Sequence, residues 1–173
     1  MQLVSKIISG GQSGVDRAGL DAARYLDIEY GGWVPSSGRA EDYTKAPGLL
    51  ADYPNLEPAP TDNYRDRTIL NIESADATLL IARNRKPHSP GTLLTAKEAR
   101  KSGKPLLILC PLAPSAIEEL RSFLWLMGGD TILNVAGPRE SKWPTIYIGA
   151  GTLIYKAIKG YNTLPWSSEA PHS

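Results

Sequence analysis

Three glycines within five residues, Gly10, Gly11 and Gly14, follow the apolar run Leu3–Ser9 and precede a helix-like pattern opening at Val15–Asp16–Arg17. Strand, glycine turn and helix in this order let backbone N–H groups at a helix N-terminus receive a phosphate. Glycines allow the main chain to approach an anion closely, and Arg17, one turn into the helix, supplies a guanidinium. Gly11, Gln12, Ser13 and Gly14 are therefore candidate oxyanion ligands, with Arg17 beside them. The spacing matches only part of G-x-G-x-x-G, and a tight strand-to-helix turn is the alternative reading. Gly19 lets the same helix lie close on a sheet.

Three further loops carry candidate ligand groups. Gly91 and Thr92, with Thr95 one turn on, form either a second anion nest or a simple helix cap. Arg139 and Ser141 follow the strand-like Thr131–Val135, and Arg139 has a planar fork suited to phosphate or a carbonyl-rich ring. Its alternative is a surface pair with Glu140. Gly32 and Trp33 offer an indole that stacks on a flat ring or packs in a core or interface. Tyr64, Arg67, Thr68 and Asn71 fall at i, i+3, i+4 and i+7, one helix face, with Ile69 and Ile72 turned away. That face either supports the glycine loops from behind or meets an anion or another subunit.

The elements that must hold these residues alternate between strand-like and helix-like. Asp76–Ala82, Pro105–Cys110 and Thr131–Val135 are apolar runs of the kind buried on both sheet faces, and Gly31–Val34 is a shorter candidate. Ser13 with Asp16, and Ser115 with Glu118, resemble capping boxes. A helix from about Thr92 ends at Gly103, one bearing Leu120, Phe123, Leu124 and Met127 ends at Gly128–Gly129, and the last begins near Pro144 and ends before Gly160. Its inward face is Ile146, Leu153, Ile154, Ala157 and Ile158. The alternation predicts a doubly wound, mostly parallel α/β sheet with helices on both faces, whose ligands sit beyond the carboxyl ends of the strands. Residues 1–163 form a single domain and 164–173 a tail. Pro35 to Pro60, with five prolines, has no convincing element; it is an ordered cover over a ligand, a subunit contact or disordered.

The 173 residues are 42 % hydrophobic and 21 % charged, with a net charge of +1, which gives no general attraction to nucleic acid or anionic membrane. Cys110 is the single cysteine, so neither an internal disulfide nor a cysteine-rich metal site can form. No signal peptide or membrane-spanning run is visible, and a cytoplasmic location is expected. No Ser–His–Asp, His–Cys, metal-binding or paired-carboxylate arrangement can be assembled. Ser9, Ser13, Cys110 and Glu98 lack oriented partners, so none is expected to be catalytic. The residues provide for holding an anionic, planar ligand rather than transforming it.

In this order, Gly10–Arg17, Gly31–Pro35, Arg39–Asp42, Tyr64 with Arg67–Thr68 and Asn71, Ser74–Leu79, Gly91–Thr92 with Thr95, and Asn134–Arg139 resemble the molybdenum cofactor carrier protein family. The match runs over roughly residues 7 to 160, in a Rossmann-like superfamily of nucleotide-ligand sensors and processing enzymes. The resemblance implies a doubly wound fold, a homo-oligomer, a crevice at the glycine loops and the molybdenum cofactor, a phosphorylated pterin, as carried ligand. Related lysine-decarboxylase-like phosphoribohydrolases carry P-G-G-x-G-T-x-x-E. This chain has Ser89–Pro90–Gly91–Thr92 instead, with Thr95 where the glutamate should stand and Glu98 one turn further. A nucleotide hydrolase or a nucleotide sensor remains the alternative to a carrier.

Overall fold

The computed structural model describes residues 2–159, so the expected tail, Gly160 and His172 lie outside the described residues. Five parallel strands make the main sheet: β1 (Val4–Ile8), β2 (Glu29–Gly31), β5 (Ala77–Ile81), β6 (Leu106–Leu109) and β7 (Thr131–Ala136), in the order β2-β1-β7-β5-β6. Every residue of β5 is buried, as its unbroken apolar run requires for a strand covered on both faces. Helices α1 (Val15–Tyr25), α5 (Ala116–Leu126) and α6 (Ile146–Lys159) pack together, and α3 (Tyr64–Ser74) packs with α4 (Pro90–Ser102). Gly19 allows α1 onto the sheet, since a Cβ there would stand 2.9 Å from the Val135 side chain. Among the described residues no helix is long and apolar enough to cross a membrane.

The expected strand over Gly31–Val34 is divided. β2 ends at Gly31, whereas β3 (Trp33–Val34) pairs with β4 (Glu57–Pro58) in a separate two-stranded sheet. Gly32 makes the break: its φ is +124°, and a Cβ there would lie 2.2 Å from the Ser9 carbonyl oxygen. Asn71 then holds β3 as a neighbouring strand would. Its Oδ1 accepts from Trp33 N at 2.8 Å, and its Nδ2 donates to Trp33 O at 2.9 Å.

The segment from Pro35 to Pro60 is ordered and contains α2 (Leu49–Asp52) as well as β4. Leu49, Tyr53 and Leu56 bury themselves with Val34, Ala40 and Leu20 of α1, a small second core beside the main one.

Helix ends differ from the expected caps. The N-cap of α1 is Gly14, without a side-chain cap, because Ser13 is engaged by Glu41 and Asp16 turns back to Gln12 N at 3.3 Å. Ser115 donates to Glu119 at 2.5 Å rather than capping α5. A full capping box stands at α4, where Ser89 and Thr92 bond reciprocally, and left-handed Gly103 closes the same helix. In α6, Ile146, Leu153, Ile154 and Ala157 are buried and Ile158 packs against them.

Gly32→Ala is expected to lower stability by at least about 3 kcal/mol, because strain and backbone overlap coincide there. Gly91→Ala, whose Cβ would meet nothing within 4 Å, should stay within about 1 kcal/mol of the parent. Urea unfolding of both variants checks the contrast.

Candidate functional site

A cleft of about 610 Å³ opens at the carboxyl ends of β1 and β7, between α3 and the start of α4. Gly10 and Gln12 reach it from the loop after β1, Asn134, Ala136–Arg139 and Lys142 from the end of β7 and its loop, and Ser89–Thr92 with Thr95 from the start of α4. Tyr64, Arg65, Arg67, Thr68 and Asn71 of α3 form a further wall, so the face read from the i, i+3, i+4, i+7 spacing does line the cleft. Of the other expected ligand residues, Gln12, Gly91, Thr92 and Arg139 line it. Gly11, Ser13, Gly14, Arg17, Gly32, Trp33 and Ser141 do not.

The seven outside the cleft have other partners. Gly11 abuts Leu49, and Gly14 abuts the Pro138–Glu140 backbone, where a Cβ would stand 2.5 Å from Pro138 O. The Trp33 indole donates to Ser74 Oγ at 3.2 Å. Arg17 directs its fork to both oxygens of Asp42, each at 3.0 Å, and also donates to Gly11 O. Glu41 accepts from Ser13 Oγ, from Ser141 N at 3.2 Å and from Ser141 Oγ at 2.6 Å. The anions bound by these donors are thus carboxylates of the chain itself. Main-chain donors of the first loop are engaged likewise: Gly11 N by Ser9 Oγ, Gln12 N by Asp16, Ser13 N by Gln12 Oε1 and Val15 N by Pro138 O. The Pro35–Pro60 segment therefore covers the glycine loop from outside and contributes nothing to the cleft lining.

Asp16 and Arg67 join α1 to α3 beneath the cleft, 2.9 Å apart and both largely buried. The Arg67 guanidinium passes directly over Gly10, where a Cβ would fall 1.1 Å from Nη1. Burial pushes the Asp16 carboxyl above its ordinary range, against the opposing pull of Arg67. Glu41 behaves oppositely. Burial alone would raise it, but hydrogen bonds from Ser13 and Ser141, with Arg139 nearby, hold it below the usual carboxylate range.

The cleft lining is basic: Arg65, Arg67, Arg139 and Lys142 against the single carboxylate of Asp16, which Arg67 already pairs. Arg139 is not paired with Glu140, whose carboxylate accepts from Thr145 N and Tyr147 N at the start of α6. Its guanidinium lies 5.9 Å from the Tyr64 ring and 4.0 Å from Glu41. At α4, Pro90 has no N–H and Thr92 N is capped by Ser89, which leaves Gly91 N as the first-turn donor for a ligand. Lys142, Arg65 and Gly10 carry no ligand role in the sequence reading. Lys142 is adjacent to Ser141 in the same loop, and Arg65 stands one residue off the α3 face, so spacing alone passes over both. Cys110 is buried in the main core, and Glu98 is paired with Arg65 at 3.4 Å.

Removing one partner of the Asp16–Arg67 pair strands a buried charge, so Asp16→Asn and Arg67→Met should each cost about 3–5 kcal/mol. A double-mutant cycle by urea unfolding should show coupling above about 1 kcal/mol; additive losses would mean that the pair is not a unit. A lowered carboxyl pKa contributes stability above its unfolded value and loses it as pH falls through the folded value. Glu41→Gln should therefore flatten the acid limb of the stability profile below about pH 4.5, and unchanged acid dependence would contradict the assigned contacts.

The chain matches the circularly permutated YpsA SLOG family across residues 7–158. A solved structure from Syntrophus aciditrophicus SB, described as a "putative molybdenum carrier protein", is 33 % identical and superposes with a TM-score of 0.78, covering 92 % of this chain and 97 % of its own. No protein of curated function matches. Over nearly all of its described length, this chain belongs to the circularly permutated YpsA SLOG family.

Proposed function

We propose that the chain binds and carries a phosphorylated heterocyclic ligand in the cleft, with the molybdenum cofactor as its cargo. The observation that carries this reading is the basic cleft lining of Arg65, Arg67, Arg139 and Lys142, with the Tyr64 ring 5.4 Å from the Arg67 guanidinium and 5.9 Å from that of Arg139. A phosphate would take Arg139, Lys142 and Gly91 N, while a flat ring would lie along α3 near Tyr64 and Gln12. The volume of about 610 Å³ suits one ligand of that size. The likeness to a molybdenum carrier supports the choice of cargo. Self-association, which the sequence resemblance implies, would cover the exposed Trp125 and Leu126 of α5.

A hydrolase of nucleoside monophosphates needs an acid–base group on the cleft. Thr95 lines it where that glutamate is expected, and Glu98 is held by Arg65. Release of free base from AMP, lost in Glu98→Gln at unchanged affinity, would reverse this preference.

Arg139→Ala is expected to weaken binding of the molybdenum cofactor by about 1.5–3 kcal/mol, the usual worth of a hydrogen bond to a charged group. Lysine there should recover only part, since it keeps the charge and loses the planar fork. Titration calorimetry on the three proteins decides it, and unchanged affinity in both variants rejects the ligand role of Arg139.

A further inference from the structure

Arg139 stands between a fixed carboxylate and the cleft. Glu41 is gripped by Ser13 Oγ, Ser141 N and Ser141 Oγ, whereas its distance to Arg139 Nη1 is 4.0 Å, the longest of these contacts. The Glu41 backbone is fixed as well, its N–H donating to Gln12 Oε1 at 2.8 Å. The Arg139 side chain is 39 % exposed and also lines the cleft. One guanidinium therefore serves two anions, and only one of them belongs to the chain.

Resting on the carrier reading, we infer that Glu41 sets the charge selectivity of the cleft: its carboxylate competes with the ligand's phosphate for Arg139. No displacement of Glu41 is required. The serine contacts keep it in place while Arg139 turns toward the ligand, and its negative charge remains beside the bound phosphate. The repulsion grows with the charge of the ligand. The preferred class is thus a phosphate monoester on a planar ring, with polyphosphates gaining little from their additional charge. A carrier with this built-in opposing charge releases its ligand more readily than the rim cations alone would allow.

The test is calorimetric titration of wild type, Glu41→Gln and Glu41→Asp with inorganic phosphate, AMP and ADP. Glu41→Gln should tighten AMP by roughly three- to tenfold and ADP by more, with the gain shrinking from low to high salt. Glu41→Asp keeps the charge and should stay near wild type. Equal or weaker AMP binding by Glu41→Gln overturns the inference, as does equal tightening by both variants, which would assign the effect to loosened serine contacts. The wild type gives a second reading should a variant fail to fold: ADP should bind no tighter than AMP, and a gain above about tenfold overturns the proposal. Binding to wild type that Glu41→Gln leaves unchanged rejects the charge role alone. Absence of binding of all three probes to every protein overturns the inference, while the carrier reading stands or falls separately on the cofactor titration of the Arg139 variants.

Discussion

The buried pair between Asp16 and Arg67 is the constraint on which the rest of the site depends. It ties the start of α1 to α3, two helices that pack in different layers, and it does so across the end of β1. Residue 10 must lack a side chain for the guanidinium to pass. Asp16 in turn accepts from Gln12 N, so the glycine loop is shaped by a carboxylate that Arg67 holds. Two desolvated charges are a poor source of net stability, since burial raises the Asp16 carboxyl even with Arg67 in contact. What the pair supplies is registry: wherever Arg67 sits, the α3 wall of the cleft sits with it.

Around that fixed point, the chain neutralises its own anion-binding donors. Asp42 takes the fork of Arg17, and Glu41 takes Ser13 of the first glycine loop and Ser141 of the β7 loop. Both acids come from one dipeptide in the Pro35–Pro60 segment, whose small core of Leu49, Tyr53 and Leu56 anchors it to Leu20 of α1. A segment with so little regular structure remains ordered because charge pins it at Glu41 and Asp42, apolar burial holds Leu49, Tyr53 and Leu56, and β4 pairs with β3. Its consequence for the site is subtraction. The donors left open to a ligand are those of the β7 loop, α3 and Gly91, together with Gln12 Nε2, the one group of the first glycine loop that reaches the cleft without a partner among the described residues.

The fold was legible in the chain because buried parallel strands announce themselves as continuous apolar runs. Ala77–Ile81 needed nothing else; Leu106–Leu109 is a strand as its apolar run predicts, but it forms the edge of the sheet and only Leu109 is buried, so the expected burial on both faces fails there. Gly32 was harder, since nothing local shows that its φ is positive or that Ser9 lies against it; the break between β2 and β3 is set by a residue distant in sequence. The site was legible in part for the same reason. Helical spacing found Tyr64, Arg67, Thr68 and Asn71, a local regularity, and strand-end logic found Arg139. Residue type also marked Ser13, Arg17 and Ser141 as anion donors, and they do hold carboxylates. Which anion they hold is decided by long-range contacts of Glu41 and Asp42 that no window of sequence contains.

This division of donors gives the cleft a rigid floor and an adjustable rim. At the floor, Asn71 is locked to the Trp33 backbone and Arg67 to Asp16, groups whose movement would unpair buried charge or buried backbone. At the rim, Arg139 and Lys142 belong to a loop, and Arg139 both lines the cleft and stands 4.0 Å from Glu41. On the proposed reading, binding and release proceed through rim side chains alone, without disturbing the sheet or the ion pair beneath it. A site meant to hold a ligand for chemistry would gain from rigid donors throughout. One meant to deliver it gains from rim donors whose hold can be contested, and on the proposed reading Glu41 is that contesting charge.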